Sequence, residues 1–521
     1  MDRQGGQPLT PTAHARTTPG APAIIMASTG ETESYAALED RSSRLARGLR
    51  TRGLADGDHV ALLLENSAAF LETAWAAQRS GLHYTAVNNH LRPGEVQYVL
   101  DDSGATALVT SETLADVIAD LDLSGVSVRI STRGELPGFE RYEDVLASEP
   151  PGPLPDEHEG REMLYSSGTT GRPKGVRKPL PGTPFGDPSS APVQIAAGIA
   201  RFGAGPGSVY LSPAPLYHAA PLNFCMSMHR VGAAVVVMER FDPEQCLEAI
   251  DRYGVTHAQF VPTMFVRMLQ LPDEARSRYD LSSLRFVVHA AAPCPVTVKR
   301  QMLEWWGPII YEYYSGTEDI GGTMIGPEEW LAHPGSVGRP LDECHIVGED
   351  GRERPVGETG VVYFAGGRPF EYHNDAEKTA SIANERGWRT LGDIGRLDED
   401  GYLYLTDRLA HMIISGGVNI YPQEAENVLA GHPAVADVAV IGVPDPEMGE
   451  AVKGVVQLVD AAEGGPQMEA TLLSYCREHL SGYKCPRTID FVDQLPRDPN
   501  GKLYKRRLRE RYWEGHDSLV I

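Results

Sequence analysis

The chain has 521 residues, 41% of them hydrophobic, and a formal net charge of −24. That size and apolar content allow two or three domains with sizeable cores and exclude wholesale disorder. The charge disfavours nucleic acid and anionic membrane surfaces as partners, and no run approaches the ~18 apolar residues of a membrane span.

The opening stretch, rich in Pro, Gly, Thr and Ala, reads as loose and lacks the apolar core of an export signal. Six scattered cysteines without a CxxC pair read as reduced thiols, so a cytoplasmic location is expected. Residues 60–64 read as a buried strand, and 67–79 as a helix closed by Gly81. Residues 233–238 form the next strand, followed by a helix with Asp242 as N-cap and Pro243 at its first position. A strand over 283–289 and a helix over 296–306 continue the alternation. The pattern predicts α/β layers with mostly parallel sheets. Two breaker-rich runs, 150–160 and 180–192, read as linkers or surface loops. Past residue 398 the texture changes to a short strand pair, GYLYL and MIIS, which places a domain boundary near Arg408. The basic run 502–509 reads as a solvated terminal helix face.

Seven motifs carry chemistry. Residues 165–176, YSSGTTGRPKGV, follow an apolar strand and pack hydroxyls, glycines and cations into one turn. Backbone N–H groups and the hydroxyls of Ser166, Ser167, Thr169 and Thr170 can wrap a polyphosphate. Gly168 and Gly171 allow close approach, and Lys174 neutralises charge. Gly175 after Lys174 rules out a Walker A loop, which needs Ser or Thr there. PLYHAAP sets His218 and its aromatic neighbour between prolines, a rigid wall suited to a dry pocket. HAAAPCP puts Ala290 and Ala291 at a strand's carboxyl end, where a flat ring fits. YEYYSGTE offers Tyr314 to stack on a base, Thr317 as a hydroxyl, and Glu318 to hold Mg2+ against phosphate oxygens. Asp393 in TLGDIG can accept from two ribose hydroxyls, and Arg408 can reach the same ribose. Gly416 and Gly417 let the backbone approach an extended ligand. PRDPNGK builds a rigid exposed turn presenting Lys502.

In this order the set resembles the adenylate-forming enzymes: acyl-CoA synthetases, nonribosomal adenylation domains and luciferases. Within them it looks most like bacterial acyl-CoA synthetases of the fatty-acid type, mainly through MIISGGVNIYPQEAE. The resemblance implies a large N-terminal AMP-binding domain of layered α/β subdomains, residues 1–408, and a small mobile α+β domain, residues 409–521. It implies ATP and Mg2+ in a first step joining a carboxylic acid to AMP, and coenzyme A as acceptor in a second. It matches Lys502 to the lysine bridging carboxylate and α-phosphate, and Thr169, Thr170 and Lys174 to the phosphate loop. Thr317 and Glu318 match the α-phosphate and Mg2+ positions, Asp393 and Arg408 the ribose contacts. Ala290, Ala291 and Tyr314 match the adenine walls, His218 the gate residue, and Gly416–Gly417 the pantetheine tunnel. Departures stand at Ala410 and His411, at the hinge, and in an adenine slot reading AAA for Gly-Gly-Ala. They keep open an alternative, an amide-bond synthetase passing the acyl group to an amine. A carrier protein in trans is a third acceptor.

Overall fold

The computed structural model describes residues 9–166, 173–190, 202–415, 418–497 and 503–514. The chain packs into two compact units.

The first unit comprises Met1–Phe260, Leu271–Val288 and Arg368–Ala380. Its eight-stranded sheet runs Glu371–Tyr372, Lys174–Arg177, Arg161–Ser166, His83–Ala86, His59–Leu63, Ala107–Thr110, Val128–Ser131 and Glu140–Arg141. His59–Leu63 pairs in parallel on both sides and is buried at every residue, as a central parallel strand covered on two faces must be. A second parallel array sets His257–Phe260 beside Val209–Ser212, then Ala234–Val237, then Pro22–Met26. Local chemistry fixes the helix ends. Ser67 accepts from Phe70 N–H to start helix Ala68–Gln78, and Gly81, at φ +68°, turns the chain after it. Asp242 accepts from Glu244 and Gln245 N–H to start helix Pro243–Tyr253, which stops at Gly254 with φ +58°.

The second unit comprises Val261–Gln270, His289–Gly367 and Ser381–Ile521. It is mostly antiparallel. Ile310–Ser315, Gly322–Ile325 and Arg339–Pro340 form one run. Glu343–Val347, Gly360–Ala365, Asp393–Leu397 and Leu403–Arg408 form a four-stranded sheet. A third sheet orders Val418–Ile420, Ile413–Ser415, Gly449–Leu458 and Val435–Asp445, with Thr488–Phe491 parallel to Gly449–Leu458. Its core gathers Ile413, Leu429, Val440, Val456 and Leu472.

Three expectations change. The strands holding GYLYL and MIIS are not a pair: Leu403–Arg408 joins Asp393–Leu397, and Ile413–Ser415 joins Val418–Ile420. Period-2 alternation identifies a strand but not its partner. Residues 150–160 are irregular yet pinned, because Glu157 pairs with Arg79 at 2.7 Å and Glu159 with Arg230 at 3.0 Å. The basic tail is not wholly solvated. Helix Lys505–Trp513 buries Leu508, and Lys505 pairs with Glu426 at 2.7 Å, both side chains under a tenth exposed.

Candidate functional site

In the first unit the described ends of the Gly-rich segment are two paired strands. Arg161–Ser166 pairs antiparallel with Lys174–Arg177, so Ser166 faces Lys174 across the ladder. Ser167, Gly168, Thr169, Thr170 and Gly171 lie outside the described residues. The pair is braced: Tyr165 hydroxyl donates to Asp102 Oδ2 at 2.6 Å. A Cβ on Gly175 would sit 3.1 Å from the Tyr165 ring, so only glycine leaves that ring room without displacement. Lys174 Nζ rests 2.6 Å from Asp375 Oδ2. Lys174 in turn holds the Asp375 carboxyl below its usual range, helped by the Lys378 N–H. Neither Asp375 nor its distance from Lys174 was legible beforehand, since the two are 201 residues apart.

His218 is the N-cap residue of helix Ala219–Arg230, and its ring tilts against Tyr217 at 4.5 Å. The run before it is held by a residue the motif reading missed. Asn66 accepts from Leu216 N–H at 2.8 Å and donates to Met238 and Ala214 carbonyls at 2.8 and 3.1 Å. The helix behind carries Cys225, whose thiol burial pushes up to about 12, which makes it inert packing.

In the second unit three of the expected residues meet. Strand Ile310–Ser315 carries Tyr314, and Asp393 pairs directly with Arg408 across the ladder. Tyr314 hydroxyl donates to Asp393 Oδ2 at 2.6 Å, and Arg408 Nε donates to Oδ1 at 3.0 Å. Asp393 is 5% exposed, whereas the Arg408 side chain is 42% exposed and free to offer its remaining N–H groups outward. Burial, then Asp393, pushes the Tyr314 hydroxyl well above its ordinary range, so it stays a donor. Thr317 and Glu318 lie in the turn between Ile310–Ser315 and Gly322–Ile325. Glu318 is buried, and a Cβ on Gly316 would fall 2.7 Å from its Oε2. That close packing makes glycine the residue that fits. Ala290 is buried, and Ala291 is exposed with φ +76°. That is the left-handed region, where a glycine carries no Cβ penalty.

Among the described residues no group of three or more His, Cys, Asp or Glu could enclose a metal. A single buried carboxylate suits Mg2+, which takes one or two protein carboxylates and fills its shell with phosphates and water. Gly416, Gly417 and Lys502 lie outside the described residues. All six cysteines are free thiols. No described helix is long and apolar enough to cross a membrane.

Residues 12–370 match the AMP-binding enzyme family and residues 424–502 its C-terminal domain. The chain belongs to the AMP-binding enzyme family. This AMP-binding enzyme is 35% identical to a feruloyl-CoA synthase of Amycolatopsis over 98% of the chain and 100% of that protein. It is 32% identical to the long-chain-fatty-acid–CoA ligase FadD13 of Mycobacterium tuberculosis, over 96% and 97%. Among solved structures it resembles the amide bond synthetase McbA from Marinactinospora thermotolerans, with a TM-score of 0.79 and 29% identity over 96% of this chain and 100% of that one. The mixed α/β fold, with a large N-terminal and a small C-terminal part, is the adenylate-forming fold.

Proposed function

We propose that the protein activates a carboxylic acid with ATP and passes the acyl group to coenzyme A. In the first step a carboxylate oxygen attacks the α-phosphorus. An acyl–O–P bond forms, the bond to the bridging oxygen breaks, and pyrophosphate leaves. In the second step the CoA sulfur attacks the acyl carbon and AMP leaves. The first step opposes two anions, so positioning and cationic screening supply the rate. Lys502 bridges the carboxylate and the α-phosphate. Ser166 to Gly171 and Lys174 cradle the β- and γ-phosphates, and Thr317 contacts the α-phosphate. Ala290, Ala291 and Tyr314 flank the adenine. Asp393 and Arg408 hold the ribose, and Glu318 is the protein ligand for Mg2+, which supplies charge neutralisation when bound. His218 gates the acyl pocket, and Gly416–Gly417 line the thiol's approach. A boundary at 408/409, with the smaller domain rotating between steps, brings first Lys502 and then the thiol channel into use. The location is cytoplasmic.

The Tyr314–Asp393–Arg408 constellation carries the reading. It presents a ring, a buried carboxylate and a half-exposed cation in one place, which suits an aromatic base on a ribose. A second reading, transfer to an amine, is favoured by the hinge. Ala410 stands there without a charge, and His411 Nδ1 lies 3.6 Å from Asp407. A carrier pantetheine is the third acceptor. The test is pyrophosphate release across a panel of carboxylic acids, followed by mass identification of the product with CoA, amines or a carrier protein supplied together. Acyl-CoA is the expected product. An amide as the sole product selects the second reading, and no pyrophosphate with any acid refutes adenylation. Lys502→Ala is expected to abolish release while ATP still binds.

A further inference from the structure

Three ionisable side chains beneath the end of strand Phe286–His289 take no part in the steps above. His289, Lys299 and Glu312 are buried, with side-chain exposures of 0%, 0% and 6%. Lys299, on helix Val296–Trp306, sets Nζ 2.5 Å from Glu312 Oε2. His289 Nε2 lies 3.4 Å from that same oxygen, and neither of its ring nitrogens is hydrogen-bonded. The Phe265 ring meets His289 edge-on at 5.5 Å, and the Trp330 ring lies 4.8 Å from Nζ. Among the described residues Cys294 also faces the cluster, and burial keeps its thiol protonated. One carboxylate and one ammonium therefore balance, provided the imidazole stays neutral. Burial, then the Lys299 cation, holds His289 well below its ordinary range.

The place of this cluster matters more than its charge. His289 runs directly into Ala290 and Ala291. Glu312 precedes Tyr314 by two positions on strand Ile310–Ser315, so the two share a face. We propose that Lys299 is a positioning residue for nucleotide binding. By neutralising Glu312 it keeps His289 uncharged and holds in place the two strand ends carrying Ala290–Ala291 and Tyr314. This rests on the reading of those residues as the adenine walls.

The charge arithmetic gives the test its signs. Lys299→Met leaves a buried carboxylate beside a neutral imidazole, and the pair must take up a proton, on either group, to avoid an uncompensated charge. Raising the pH removes that proton, so binding weakens as pH rises. Glu312→Gln leaves a buried ammonium instead, which releases its proton as pH rises, so binding weakens as pH falls. The double variant removes both charges and both slopes.

The experiment is calorimetric titration of the full chain with AMP at about pH 7 and about pH 9, each variant compared with wild type at the same pH. Lys299→Met is expected to lose about tenfold in relative affinity between the two, a fraction of the penalty for breaking a buried pair. Glu312→Gln is expected to gain over the same interval, and the double variant to track wild type. A Lys299→Met that follows wild type, or a double variant that keeps the single variant's slope, overturns the proposal. Should Lys299→Met not fold, the Glu312→Gln slope and the double variant decide alone, by the same signs. Tyr314→Ala separates the two levels. If it leaves AMP affinity unchanged, the adenine-wall reading fails; if it weakens AMP while the Lys299 variants stay flat, only this proposal fails.

Discussion

Replacing Asp393 with alanine removes the acceptor for two donors at once. Its Oδ2 takes the Tyr314 hydroxyl at 2.6 Å and its Oδ1 takes Arg408 Nε at 3.0 Å. A buried charge-assisted hydrogen bond contributes about 1.5–3 kcal/mol, and that range applies to the Tyr314 bond. The Arg408 side chain is 42% exposed, so solvent screens its share to about 1 kcal/mol or less. The fold is thus expected to lose about 1.5–4 kcal/mol. On the proposed ribose reading the nucleotide loses a carboxylate and a fixed Arg408, which is expected to raise the ATP KM by at least about tenfold, the equivalent of one such bond. Tyr314→Phe supplies the contrast, because it deletes only the hydroxyl bond and leaves the Asp393 carboxylate and its Arg408 partner in place. Its melting temperature is expected to fall while the ATP KM moves by no more than about threefold, under 1 kcal/mol. Pyrophosphate release against ATP concentration, read beside thermal melting, distinguishes the two. An Asp393→Ala enzyme that melts early but keeps a wild-type ATP KM would falsify the ribose contact and leave Asp393 a purely structural acid.

Ala291 sits at φ +76°, where a Cβ costs about 1–2 kcal/mol. Ala291→Gly relieves that cost but adds unfolded-state entropy of roughly 0.5–1 kcal/mol. The net change in chemical-denaturation stability is small and stabilising, and a clear loss refutes the strain. Asp375→Asn releases Lys174 from its partner at 2.6 Å. A few-fold lower ATP KM is expected, and a raised one means Asp375 aids the phosphate loop instead of competing with it. Glu33 provides a pH handle. Burial, then the Glu72 carboxylate, raises its carboxyl from 4.5 to about 8. The folded value lies above the unfolded one, so the stabilisation is full below about pH 4.5 and is lost as pH rises through about 8. Melting temperature is expected to decline over that interval and Glu33→Gln to flatten the decline; equal slopes in both proteins remove Glu33 as the cause.

Features decided within a few residues were legible in the sequence. Asp242 was readable as a cap, and Ser67 as the start of a helix, because each bonds N–H groups two or three positions on. Asp393 and Arg408 were expected at the same ribose, and the ladder sets the two opposite each other. What stayed hidden was long-range or conformational. Asn66 braces the His218 run from 150 residues away. Lys505 looked like one more solvated cation until its helix buried it against Glu426. The three alanines of the HAAAPCP motif revealed small volume, but not that the second occupies a conformation suited to glycine.

The irregular run between the helix Tyr142–Ala147 and strand Arg161–Ser166 has a practical side. Its prolines and glycine make it look like a place to cut the chain into expressible halves. A cut ahead of Glu157 would part it from Arg79, and a cut beyond Glu159 would part that residue from Arg230, guanidinium groups that are 1% and 2% exposed. A fragment ending before the run would keep Arg79 with Glu39 but lose Glu157 and the strands beyond it that complete the sheet. Protease nicking there is accordingly expected to be slow, and a fusion or reporter inserted at this run would unseat two interior counter-ions rather than decorate a surface.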